Sequence, residues 1–90
     1  MKKEKTIPFN ENQELVEDLK KIVLYNDDFN TFDFVIDTLV EVCKHNANQA
    51  EQCAFIVHFK GKCSVKRGPF NELKPLKEEM LRRTLTVSIE

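Results

Sequence analysis

Asn26-Asp27-Asp28 is the most chemically suggestive run in the chain. A carboxamide and two carboxylates follow directly on Ile22-Val23-Leu24-Tyr25, a short run rich in β-formers. Alone, such a cluster is ordinary turn chemistry, because Asn and Asp side chains accept hydrogen bonds from nearby backbone. His58 falls near the end of an amphipathic stretch, where an imidazole commonly packs or caps. Together, Asn26, Asp27, Asp28 and a neutral His58 are a set of acceptors suited to a small cation with several N–H donors. A free α-amino group, with three donors and a pKa of about 7.7–8.0, is one such cation, although the residue types alone do not single it out. Other chemistry is poorly supplied. His45 and His58 are the only histidines, and there is no Gly-rich phosphate loop, His-Glu-x-x-His or nucleophile elbow. A Cys53–His58 nucleophile would need side chains five apart on a helix to meet, which that spacing disfavours. We therefore expect no catalytic residues, metal ligands or cofactor.

These residues need elements to hold them. Asn30 with Asp33 three residues on reads as an N-cap and its acidic partner. Phe32, Val35, Ile36, Leu39 and Cys43 then follow at helical spacing, opposite Asp33, Asp37, Glu41 and Lys44, predicting a helix of about 13 residues. Asn48 and Glu51 repeat the capping signature, and Ala50, Cys53, Ala54 and Val57 line a second helix ended by Gly61. Cys63 to Lys66 alternates as a second strand closed by Gly68-Pro69. Leu73, Leu76, Met80 and Leu81 mark a third helix whose regular part begins near Pro75, and Leu85 to Ile89 alternates as a last strand. The expected fold is an α/β (α+β) β-α-α-β-α-β domain, a three-stranded antiparallel sheet with three helices packed on one side. Residues 1–18 are expected to be a flexible extension and 19–90 the core domain, with Leu15, Val16 and Leu19 spaced as one apolar stripe of one or two marginal helical turns over residues 11–19.

The composition narrows the function classes. Ninety residues leave room for one modest core. With 14 Lys+Arg against 15 Asp+Glu, the net charge of −1 lacks the basic footprint of a nucleic-acid binder. No apolar run approaches the ~20 residues of a transmembrane helix. The Met1-Lys2-Lys3-Glu4-Lys5 start leads into no apolar signal region, so a cytoplasmic location is expected. Cys43, Cys53 and Cys63 lie ten apart without a Cys-x-x-Cys pair, reading as apolar filler in a reducing compartment.

Leu24-Tyr25-Asn26-Asp27-Asp28-Phe29, then Phe34-Val35-Ile36-Asp37, then Ala50-Glu51-Gln52 and Val57-His58-Phe59-Lys60-Gly61-Lys62 resemble the ClpS family. These are adaptors that hand N-degron substrates to a Clp-type AAA+ unfoldase and its peptidase. The resemblance is close over residues 20–66 and looser at Leu85–Glu90. It implies that Asn26 and His58 contact a substrate's α-amino group, with Asp27 or Asp28 supplying the anionic field. It further implies a pocket of Phe32, Val35, Ala54, Val57 and Leu85, with Asn30 at the rim, for a Phe, Leu, Tyr or Trp side chain. The implied partners are a ClpA- or ClpC-like unfoldase with its ClpP peptidase, and residues 1–18 take the role of the segment used in hand-over. Nucleic acid and membrane are not implied. The chain departs from the family pattern in two places: Asn30-Thr31-Phe32 stands where Thr-Pro-Met is common, and Ala54 where Met is common. Two other readings of the same residues are an interaction module of the ribosomal-stalk type with a purely structural Asn-Asp-Asp turn, and a Cys53/His58-dependent hydrolase.

Overall fold

The computed structural model describes residues 19–90, so the readings made for residues 1–18 lie outside the described residues. The chain runs β1 (Leu19–Tyr25), α1 (Phe32–Cys43), α2 (Ala47–Lys60), β2 (Lys62–Pro69), α3 (Phe70–Arg82) and β3 (Thr86–Ile89). This is the expected β-α-α-β-α-β order. The sheet has the order β2-β1-β3 and is antiparallel throughout. β1 is central because it carries the most apolar run: Ile22, Val23 and Leu24 are all buried. Ile22 pairs with Lys66 and Ile89, and Leu24 with Cys63 and Val87. Between Ile22↔Lys66 and Val23↔Ser64 the register slips, leaving Val65 as the extra residue of a bulge. The bulge sends Val65 into the core, and its carbonyl oxygen lies 2.6 Å from His45 Nε2. A carbonyl only accepts, so this nitrogen carries the proton.

The helices cover one face of the sheet and meet its apolar residues in a single core. Ile22 and Leu24 pack there with Leu39, Val42 and Cys43 of α1, Ala50 and Val57 of α2, and Leu73 and Met80 of α3. Full burial of one such aliphatic side chain stabilises the fold by roughly 1.5–3 kcal/mol. Since Ile22, Leu39 and Met80 are wholly excluded from solvent, each element contributes anchors that the others cannot replace.

Several boundaries differ from expectation, each for a local reason. Thr31, not Asn30, caps α1, its hydroxyl accepting from Phe34 N at 3.1 Å; Asn30 is drawn off by other partners. Asn46, not Asn48, caps α2 through Gln49 N at 2.8 Å. The sequence Asn46-Ala47-Asn48 offers two caps, and the left-handed Lys44 that closes α1 sets the chain up at the first of them. β1 begins at Leu19 and β2 extends through Gly68 to Pro69, because β2 is an edge strand where a missing N–H is harmless. Finally, α3 starts at Phe70 with exposed Pro75 inside it. There the ring deprives only the Asn71 carbonyl in the first turn, which water can serve.

Candidate functional site

The turn after β1 is organised by Asp27. Its Oδ1 accepts from Phe29 N at 2.8 Å and Asn30 N at 2.7 Å, while Oδ2 accepts from Asn30 Nδ2 at 3.0 Å. Partial burial pushes the Asp27 carboxyl up, yet the Asn30 and Phe29 donors together outweigh it and hold the pKa below the usual carboxylate value. Asn30 Nδ2 also reaches the Thr84 carbonyl at 2.9 Å, tying the turn to the α3–β3 connection, where Thr84 sits at φ 66. Asn30 is thus a clamp between two loops as well as a rim residue. Asp28 is exposed, and among the described residues its carboxylate has no hydrogen-bond partner. The two neighbouring acids differ in role: one is committed to the turn and one keeps a free charge.

Gly61 joins this turn to α2. It ends the helix at φ +96, in the left-handed region that favours glycine, with its N–H on the Val57 carbonyl. Its own carbonyl accepts the Asn26 N–H at 2.9 Å. The helix turn that carries His58 is thereby fixed against the turn that carries Asn26.

Between them opens a cavity of about 540 Å³, lined by Asn26, Asp27, Asp28, Asn30, Phe32, Val35, Ala54, Phe55, Val57, His58 and Phe59. Its volume is that of a small-molecule or side-chain site, and its lining combines apolar and polar side chains. Nine of the ten residues singled out in the sequence line it. Leu85 does not: it is 3 % exposed, lies in the core, and takes part in the α3–β3 connection through Leu85 N on Met80 O. As the residue just before β3 it points inward with the strand's buried set.

Phe55 and Phe59 line the cavity and were not foreseen from the sequence. The Phe55 ring meets Phe32 edge-on, with centroids 5.0 Å apart, and stacks nearly parallel on Phe59 at 5.9 Å. Phe59 in turn lies edge-on to His58 at 4.8 Å. A signal for them existed: α2 carries apolar residues outside the stripe of Ala50, Ala54 and Val57 that its packing needs. Phe32 and Phe55 thus meet within the cavity lining, where Ala54 is the smallest side chain.

The cysteines take no part in this site. Cys43 is buried and Cys53 and Cys63 half-buried, and all three are free thiols. Burial pushes Cys43 up to about 11, and burial together with nearby Cys63 pushes Cys53 up to about 12. Such thiols are protonated at neutral pH and weakly nucleophilic. Cys53 does not line the cavity that holds His58, so the hydrolase reading loses its geometry. Among the described residues no helix is long and apolar enough to cross a membrane.

Known proteins resemble this chain in sequence and in fold. The family model "ATP-dependent Clp protease adaptor protein ClpS" matches residues 16–88. The ClpS adapter of Salmonella gallinarum is 40% identical over 47 residues, 50% of this chain and 44% of that protein. That of Nautilia profundicola is 35% identical over 66 residues, 73% of this chain and 68% of that protein. The chain spans about half the length of several of the curated relatives it matches. The solved structure of Agrobacterium tumefaciens ClpS2 bound to L-phenylalaninamide shares the fold, with a TM-score of 0.69 at 20% identity over 81% of this chain and 95% of that one. The relatives are named as adapters, a role without catalysis. On the family match across most of its length, the chain belongs to the ClpS family of ATP-dependent Clp protease adaptor proteins.

Proposed function

We propose that this chain recognises proteins by a free α-amino group followed by a bulky hydrophobic first residue, and delivers them to a Clp AAA+ unfoldase with its ClpP peptidase. The observation that carries this reading is one cavity lined both by Asn26, Asp28 and His58 and by Phe32, Val35, Ala54, Phe55 and Val57. A free N-terminus has the same two-part chemistry. Three N–H donors on a cation meet the Asn26 carboxamide oxygen and the His58 imidazole, with Asp28 supplying the charge. The first side chain fills the apolar part, and full burial of a Phe or Leu there contributes roughly 1.5–3 kcal/mol. The ligand of the structural neighbour, L-phenylalaninamide, joins a free amine to an aromatic side chain, which supports the same assignment.

Acetylation removes the positive charge and leaves one N–H of three, so acceptors that are exposed in the free chain and covered by the bound peptide go unpaired, at roughly 1–3 kcal/mol for each. Fluorescence anisotropy with labelled peptides beginning in Phe, Leu, Tyr or Trp should therefore give saturable binding that an acetylated Phe peptide lacks. Asn26→Ala and His58→Ala should each weaken binding about tenfold, the effect of losing one partner to a charged group. Equal affinity for the free and acetylated peptides would overturn the proposal. If peptide binding ignored both substitutions, the chain would instead be an interaction module with a structural turn.

A further inference from the structure

Two of the cavity's aromatic walls do not end at the cavity. Phe59 is 71% exposed and Phe55 46% exposed, although both belong to a helix with a well-buried inner stripe. Solvent-facing apolar rings in contact with one another form a patch that solution alone does not favour. The two rings make a continuous shelf: they lie 12° from parallel, 5.9 Å apart, leading outward from the Phe32–Phe55 contact at the cavity wall. The shelf passes beside His58, which Phe59 touches edge-on. Phe55 and Phe59 both line the cavity beside His58, so the exposed shelf is continuous with the cavity.

We infer that Phe55 and Phe59 form a second subsite for the substrate, which receives an apolar, preferably aromatic, side chain at its third residue. This rests on the proposed recognition of the N-terminus and adds the sequence class of the substrates. In an extended peptide, successive side chains alternate sides, so residues one and three share a face and stand about 6.6 Å apart. With the first side chain in the cavity, the second turns to solvent and the third returns to the protein one such step further on. A first side chain packed against Phe32 and Phe55 then has the Phe59 ring, 5.9 Å from that of Phe55, within one such step. An aromatic side chain lying there gains ring–ring contact in addition to burial, and the proposal's occupant is the substrate itself.

The test uses the whole chain and three labelled peptides, beginning Phe-Ser-Ser, Phe-Ser-Phe and Phe-Phe-Ser, each with an acetylated control. Phe-Ser-Phe should bind about three- to tenfold more tightly than Phe-Ser-Ser, the fold-change typical of one added aromatic pair. Phe-Phe-Ser should gain less. In Phe59→Ala the ratio of the Phe-Ser-Phe and Phe-Ser-Ser affinities should fall to about one, and in Phe59→Leu it should take an intermediate value. That ratio is a coupling measurement, so a general loss of affinity cancels. An unchanged ratio in Phe59→Ala, equal wild-type affinities, or a gain confined to the second position each refutes the third-residue subsite. Acetyl-insensitive binding of all three peptides refutes the recognition of the N-terminus and this subsite with it. Acetyl-sensitive binding without a third-residue gain refutes the subsite alone.

Discussion

At the scale of single residues, Asp27 and Asp28 show how little a motif says about division of labour. They are adjacent and identical, yet Asp27 accepts three N–H groups within its own turn while Asp28 lines the cavity with no hydrogen-bond partner among the described residues. Substitution should separate them. Asp28→Asn should leave thermal stability unchanged and weaken binding of a Phe peptide about two- to fivefold, more at low salt, as expected for a partly exposed charge pair. Asp27→Asn should act first on stability, because the acceptor charge that holds the turn is lost. The pH dependence has a fixed sign. The Asp27 carboxyl is held below its unfolded value, so its contribution is complete above that value, at about pH 4, and disappears as pH falls through the lower folded one. Melting curves from neutral pH to about pH 2.5 should show wild type losing stability in acid more steeply than Asp27→Asn. Parallel curves would remove Asp27 from that role. The sequence made the cluster visible but could not assign these roles, since both depend on which carboxylate the Asn30 amide reaches.

At the scale of elements, the site depends on how α2 ends. Gly61 both stops the helix and offers its carbonyl to Asn26, so one residue sets the distance between His58 and the Asn-Asp-Asp turn. A Cβ at Gly61 would meet no atom within 4 Å, and the cost of Gly61→Ala is therefore that of the left-handed backbone itself, roughly 1–2 kcal/mol. Chemical denaturation should read that loss, and affinity for a Phe peptide should fall in parallel, as the Asn26 amide shifts with the helix end. Retained affinity at reduced stability would show the link to be unnecessary. This stop was legible in the sequence, as was the α1 stripe from Phe32 to Cys43. The helix starts were not. Asn30 and Asn48 each have an acid three residues on, yet Thr31 and Asn46 cap the helices, accepting from the Phe34 and Gln49 N–H groups. Capping is decided by where the preceding chain arrives, and that is tertiary information. Thr31→Ala should accordingly lower stability by about 1 kcal/mol, whereas Asn48→Ala should leave it nearly unchanged.

At the scale of the whole molecule, the proposed binding and delivery are expected to separate along the chain. Every residue lining the cavity lies between Asn26 and Phe59, and the core that supports it is built from residues 22 to 89. Residues 1–15 precede both, and precede the family match, which begins at residue 16. If the cavity suffices for recognition, deleting residues 1–15 should change the affinity for a Phe peptide by no more than about twofold, the coupling usual between distant, unconnected groups. Delivery is a different quantity. It requires a second contact, with the unfoldase, and a free N-terminal side chain held in a cavity cannot by itself transfer a substrate to another protein. The deletion should therefore abolish stimulated degradation of a Phe-initiated substrate by a Clp unfoldase and its peptidase, while the truncated chain competes with the intact one for the same peptides. A truncated chain that still stimulates degradation would move the delivery contact onto the folded domain. Loss of peptide binding on truncation would instead make residues 1–15 part of the recognition site, and the cavity alone would no longer account for it.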